Sequence, residues 1–211
     1  MSLWKACAGV MLAMAIAVPA WAQEAQGPEA AQALVKDTSE KVIERLREDR
    51  ERLKANPDLI YPLVEDLVLP HFDFARMSQW VLGKHWRTAD ARQRERFTIE
   101  FRNLLVRTYA KALLEYTDQE IQYLPLQAEP GADRVVVRTQ IVQKGSAYPI
   151  PIYYNMYRRK DGSWKVYDIS VDGVSLVTNY RSSFASEIRT GSIDQLIAKL
   201  ESMNRQGGEG G

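Results

Sequence analysis

Apolar residues recur every three to four positions in the first half of this chain and every two in the second. From Glu29 to Leu53, the residues Ala31, Leu34, Val35, Val42, Leu46 and Leu53 make one stripe along a long helix whose other side is Glu, Arg and Lys. Asn56-Pro57 ends that helix and opens a short second one through Leu67, with Asn56 as N-cap and Pro57 in the first turn. Pro70 stops it, and Asp73 is placed to cap a third helix reaching Leu82. After Gly83 and a charged turn, Thr88 is expected to open the longest helix, to about Tyr116, with Phe97, Phe101, Leu104, Leu105, Tyr109, Leu113 and Tyr116 in helical register.

Glu120 to Leu124, Arg134 to Val142, Tyr148 to Arg158 and Trp164 to Val171 alternate or run apolar at strand length, separated by Pro130-Gly131, Lys144-Gly145 and Asp161-Gly162. Asp172-Gly173 then breaks the last strand. Two helices close the chain, Ser175 to Arg189 and, capped by Ser192, Ile193 to Met203. Strands that follow helices rather than alternate with them predict an α+β fold, an antiparallel four-stranded sheet with helices packed on it. No internal repeat or long linker divides the chain, so residues 23–206 are expected to form one domain.

The ends change the picture. Residues 1–22 carry one basic residue, Lys5, an apolar run from Ala6 to Val18 and then Pro19-Ala20-Trp21-Ala22, the pattern of an export signal cleaved after Ala22. The run is too short to span a bilayer. The one cysteine, Cys7, lies inside that signal, so the exported chain must hold itself together by its core without disulfides. A Gly-rich tail at 207–211 is expected to be disordered. Without Lys5 the basic residues equal the 27 acidic ones, which excludes a nucleic-acid binder of the basic kind.

Motifs for chemistry are sparse. His71 and His85 lack the Cys, His or carboxylate neighbours of a metal site, and neither a nucleophile elbow nor a Gly-rich phosphate loop is present. Catalytic residues, a metal and a cofactor are therefore not assigned. Asp168 on the last strand has two readings: a partly buried base acting on a hydrophobic substrate, or an acceptor pinning the strand to the following helix.

Two segments carry a family resemblance: VLPHFDFARMSQWVLGKHWRTADARQRERFTIEFRNLL (Val68 to Leu105) and WKVYDISVDGVSLVTNYRSSF (Trp164 to Phe184). With them the chain from about Ala30 to Leu200 resembles the MlaC family, the toluene-tolerance periplasmic proteins. The resemblance implies a curved sheet and helices in a cone akin to nuclear transport factor two, enclosing an apolar lipid cavity. It implies a soluble, monomeric, non-catalytic periplasmic carrier of phospholipid that maintains outer-membrane lipid asymmetry. Its implied partners are an inner-membrane ABC transporter complex and an outer-membrane lipoprotein complex of Mla type. An adaptor that binds protein but no lipid is the remaining alternative.

Candidate walls for such a cavity are Phe97, Phe101, Leu104 and Leu113 on the longest helix and Val135, Val137, Ile150, Ile152, Tyr154, Met156 and Val166 on the strands. From their pattern alone the same residues read first as ordinary core, and only the family resemblance turns the reading toward a cavity wall. Pro149 and Pro151 remove two donors from one side of the third strand, marking either an edge or bulge or a loosened pocket mouth. Tyr148, Tyr153, Tyr154 and Tyr157 suit a boundary between acyl chains and water, or a solvent-facing ladder. Arg158, Lys165 and Arg181 are candidates to meet a headgroup phosphate.

Overall fold

The computed structural model of the protein describes residues 27–115, 119–143, 145 and 148–206. The export signal expected over 1–22, the tail at 207–211 and the helix end at Tyr116 fall outside these residues. The N-terminal stripe forms α1 (Pro28–Glu48) and α2 (Arg50–Ala55), two helices where one was expected. They divide at Asp49, whose carboxylate accepts from Arg45 at 3.2 Å and from Arg52 at 2.7 Å. Asn56 caps as expected, accepting from the Asp58 N–H at 3.2 Å, but the segment it opens is a 3₁₀ turn (Pro57–Leu59) before α3 (Ile60–Leu67).

Asp73 caps α4 (Phe74–Leu82) by accepting from the Arg76 N–H at 2.9 Å. Gly83 follows at φ +54°, and the charged turn is a short helix, α5 (Lys84–Thr88). The long helix α6 (Ala91–Tyr109) starts at Asp90, not Thr88, because Asp90 and Gln93 satisfy each other's backbone N–H at 2.8 and 3.0 Å in a reciprocal capping box. Its end tightens into a 3₁₀ segment, Ala110–Glu115.

The sheet is an antiparallel meander in the order β1 (Glu120–Tyr123), β2 (Arg134–Val142), β3 (Ile150–Arg158), β4 (Trp164–Val171), β5 (Val174–Ser175). The expected four strands are thus five. Asp172-Gly173 does more than end β4: φ is +49° and +78° at the two residues, and Val171 pairs with Val174 across them. That is the tight hairpin turn for which Asp-Gly is suited, since only small or locally hydrogen-bonding residues tolerate positive φ. Ser175 then caps α7 (Leu176–Thr190), accepting from the Thr178 N–H at 3.0 Å, and Ser192 opens α8 (Ile193–Gln206).

Three clusters of buried apolar side chains result. One joins α4, α6, α7 and α8 around Phe97, Phe101, Phe184 and Ile197. A second lies between α1 and the sheet, around Ala31, Val35, Val137, Met156, Trp164 and Val166. The third joins α1, α2, α3 and the 3₁₀ end of the long helix through Val42, Leu46, Leu53, Ile60 and Val64. Phe72 packs against both the first and the second, and its segment is tied to β4 by the Asp73 N–H donating to the Val166 carbonyl at 2.9 Å.

Candidate functional site

One face of the sheet is covered by α1 and is the natural place for a site. Directly paired residues on neighbouring strands share a face. The pairings Val135–Met156–Val166, Val137–Tyr154–Ile169 and Thr139–Ile152–Val171 therefore define successive rows of this inner face. Ile121, Tyr123, Ile141 and Ile150 extend it.

Burial changes along these rows. Val137 and Met156 are 0% exposed, and Val135, Trp164 and Val166 are buried with them under Ala31 and Val35 of α1. Toward the start of β3 the same face loosens: Ile121, Ile141, Ile152, Ile169 and Val171 are half-buried, and Ile150 is 44% exposed. Tyr154 sits between the two ends. Burial pushes its hydroxyl up to about 12, and the residue as a whole is half-buried.

Of the candidate wall residues, Val135, Val137, Tyr154, Met156 and Val166 come together in the sheet cluster, with Ile152 and Ile150 continuing their face. Phe97, Phe101 and Leu104 lie in the helical cluster, and Leu113 packs on the third. Ile169 and Val171 belong to the inner face although strict alternation from Val166 puts them on the other. A register shift makes Asn155 face Asp168 while Met156 faces Val166, leaving Tyr167 as the extra residue of a bulge. The strand sequence carries no mark of this insertion. Ile121 was also missed, though its place in the alternation of β1 could have found it.

The same bulge turns Asp168 to the outer face, although strict alternation from Trp164 and Val166 puts it on the inner one. There its Oδ2 accepts from the Ser175 hydroxyl at 2.7 Å and its Oδ1 from the Val177 N–H at 3.1 Å. Both oxygens are engaged in fastening β4 to α7, the second of the two roles read for it.

The prolines split. Pro149 precedes β3, while Pro151 pairs with Gln140 and its carbonyl accepts from the Asp172 N–H at 2.9 Å. The tyrosines split as well: Tyr154 is on the inner face, Tyr153 and Tyr157 on the outer, and Tyr148, 82% exposed, precedes the strand.

The three cationic candidates do not converge. Arg158 ends β3 and lines a surface cleft with Arg134 and Lys160. Lys165 donates to the Pro70 carbonyl, and its charge, after burial, holds the His71 imidazole below its ordinary pKa. Arg181 lies on α7 against Gly83, close enough that a Cβ there would meet its Nε at 3.2 Å. Arg158 and Lys165 are at the closed end of the sheet, about 25 Å along β3 from exposed Ile150 at ~3.3 Å per residue. Among the described residues, no group of three or more His, Cys, Asp or Glu side chains could hold a metal ion, and no helix is long and apolar enough to cross a membrane.

The arrangement has counterparts. A phospholipid-binding protein from Ralstonia solanacearum, solved in complex with a phospholipid, superimposes with a TM-score of 0.77 at 31% identity, over 84% of this chain and 98% of that one. The intermembrane phospholipid transport system binding protein MlaC of Haemophilus influenzae is 28% identical over 80% of this chain and 79% of its own length. The toluene tolerance protein ttg2D of Pseudomonas putida is 28% identical over 87% of this chain and 83% of its own. The family model described as MlaC protein matches residues 36–202, the span that contains α1 beyond its first turns, the whole sheet, α7 and most of α8, and the chain belongs to that family.

Proposed function

We propose that this chain is a periplasmic carrier that moves phospholipid between an outer-membrane lipoprotein complex and an inner-membrane ABC transporter complex of Mla type, without catalysis. The acyl chains lie against the inner face of the sheet, where Ile121, Ile141, Ile152, Tyr154, Ile169 and Val171 are left half-covered. That incomplete apolar face is the observation that carries the reading, and the likeness to a phospholipid-bound relative supports it.

The energetics favour an interior site. A diacyl lipid hides on the order of thirty methylenes, about 24 kcal/mol of apolar transfer at ~0.8 kcal/mol each. Aliphatic walls offering few polar atoms to desolvate suit such a load. The wall residues are those of the sheet; Phe97, Phe101, Leu104 and Leu113 pack in the helical clusters behind it. Export through residues 1–22 places the carrier in the periplasm, and no catalytic group is required.

Native mass spectrometry of protein taken from a periplasmic extract tests this. A mass increment matching phospholipid, lost on delipidation, is expected. Protein that consistently arrives empty, and takes up no lipid from micelles, would favour the adaptor instead. Turnover of a hydrophobic substrate lost in Asp168→Asn with lipid uptake intact would favour the enzyme.

A further inference from the structure

The closed end of the sheet carries a feature that lipid carriage does not use. There, where β2 begins and β3 ends, an open cleft of about 440 Å³ is bordered by Arg76, Arg134, Arg158, Arg159, Lys160, Asp133, Asp161 and Tyr157. Five cations face two acids, in a chain whose whole formal charge is +1. One of the acids is already occupied: Asp161 accepts from Ser163 through its backbone N–H at 3.0 Å and its hydroxyl at 2.6 Å, and Arg159 lies 3.8 Å away. Arg76, Arg134 and Lys160 have no acidic partner among the described residues.

Arg76 is also set in advance. Its guanidinium lies 3.5 Å over the Tyr157 ring, and the Tyr157 hydroxyl donates to Asp73, the residue that caps the helix bearing Arg76. A stacked guanidinium keeps its edge donors free and loses little freedom on binding a planar anion. Of the three cations without an acidic partner, Arg76 and Arg134 are arginines, the side chain suited to bidentate carboxylate recognition.

We infer that this cleft is a docking site for an acidic segment of a partner protein. A flat bilayer fits the geometry less well. The cations surround a concavity, and the cleft lies about 25 Å from exposed Ile150, so a bilayer held here is remote from the loosened end of the apolar face. A polypeptide can reach into the cleft while the rest of the partner meets that end. Long-range attraction to such a segment would also accelerate encounter.

The test is a heteronuclear NMR titration of the whole exported chain with a hexaglutamate peptide in 50 mM salt, with hexalysine, inorganic phosphate and phosphatidylglycerol vesicles as parallel arms. Saturable shifts confined to Arg76, Arg134 and the Arg158–Asp161 turn are expected with hexaglutamate alone. The double variant Arg134→Glu/Lys160→Glu should weaken binding about tenfold or more. A control with the same charge change, Lys36→Glu/Lys54→Glu on α1 and α2, should leave it unchanged, with melting temperature certifying both folds. Equal response to phosphate, tighter binding of vesicles through the same residues, shifts scattered over the surface, or no saturable shift would each overturn the assignment. Because none of these readouts involves cargo, their failure leaves the lipid experiment standing, and the reverse.

Discussion

The helical cluster and the inner face of the sheet are built from the same kinds of residue and end differently. In the first, Phe97 and Phe101 stack at 5.7 Å, Phe184 meets both edge-on at 5.9 and 6.1 Å, and Tyr180 closes on Phe101 at 5.3 Å. Both central rings are 0% exposed. In the second, Met156 is equally buried, but three pairs along the same strand Ile150 is 44% exposed. Apolar periodicity therefore says which side of an element turns inward. It does not say whether the protein has enough side chains of its own to fill what lies there.

That contrast can be broken in graded steps. Phe101→Ala, in the filled cluster, should cost about 4 kcal/mol in urea unfolding through lost burial and a trapped cavity. Met156→Ala, at the closed end of the sheet, should cost about 3 kcal/mol by the same measurement; a cost below that of Ile152→Ala would erase the distinction between the two ends.

Alkaline pH probes the middle of the face. The Tyr154 hydroxyl keeps its proton to about 12 in the folded chain, against 10 when unfolded. Its stabilisation is therefore complete below pH 10 and lost as pH rises toward 12, an effect of about 2 kcal/mol. Melting temperatures between pH 9 and 12 should fall, and Tyr154→Phe should reduce that fall, the remainder belonging to Tyr180, which burial also pushes up to about 12. Asp168→Ala, which removes the two hydrogen bonds fastening β4 to α7, should lower stability by about 1–2 kcal/mol while leaving co-purified lipid unchanged. The smallest stability effect, below about 1 kcal/mol, is expected for Ile152→Ala in delipidated protein, together with reduced lipid retention in the loaded form.

Much of the fold was legible because local signals were strong. Asn56, Asp73, Ser175 and Ser192 cap where their side chains can reach orphan N–H groups, and the strand boundaries follow Gly and Pro. Thr88 misled because Asp90, two residues on, offers the better reciprocal pair with Gln93. The fifth strand was missed by treating Asp172-Gly173 as a stop rather than as a hairpin turn. The candidate site was less legible. Val135, Val137, Tyr154, Met156 and Val166 follow from alternation, but the bulge at Tyr167 exchanges the faces of Asp168 and Ile169, and nothing in the strand sequence announces it.

By itself, then, the amino-acid sequence determined the order of the main helices and strands, most of the caps that start them, the inward side of all but the end of β4, and the family, because these depend on neighbours a few residues apart or on residues recurring in order. The tertiary structure alone decided that Phe97 and Phe101 join the helical cluster rather than the sheet, that Asp168 faces outward, and that five cations meet around one cleft. Each of those is set by which distant elements come into contact and at what register, and a periodic pattern contains neither.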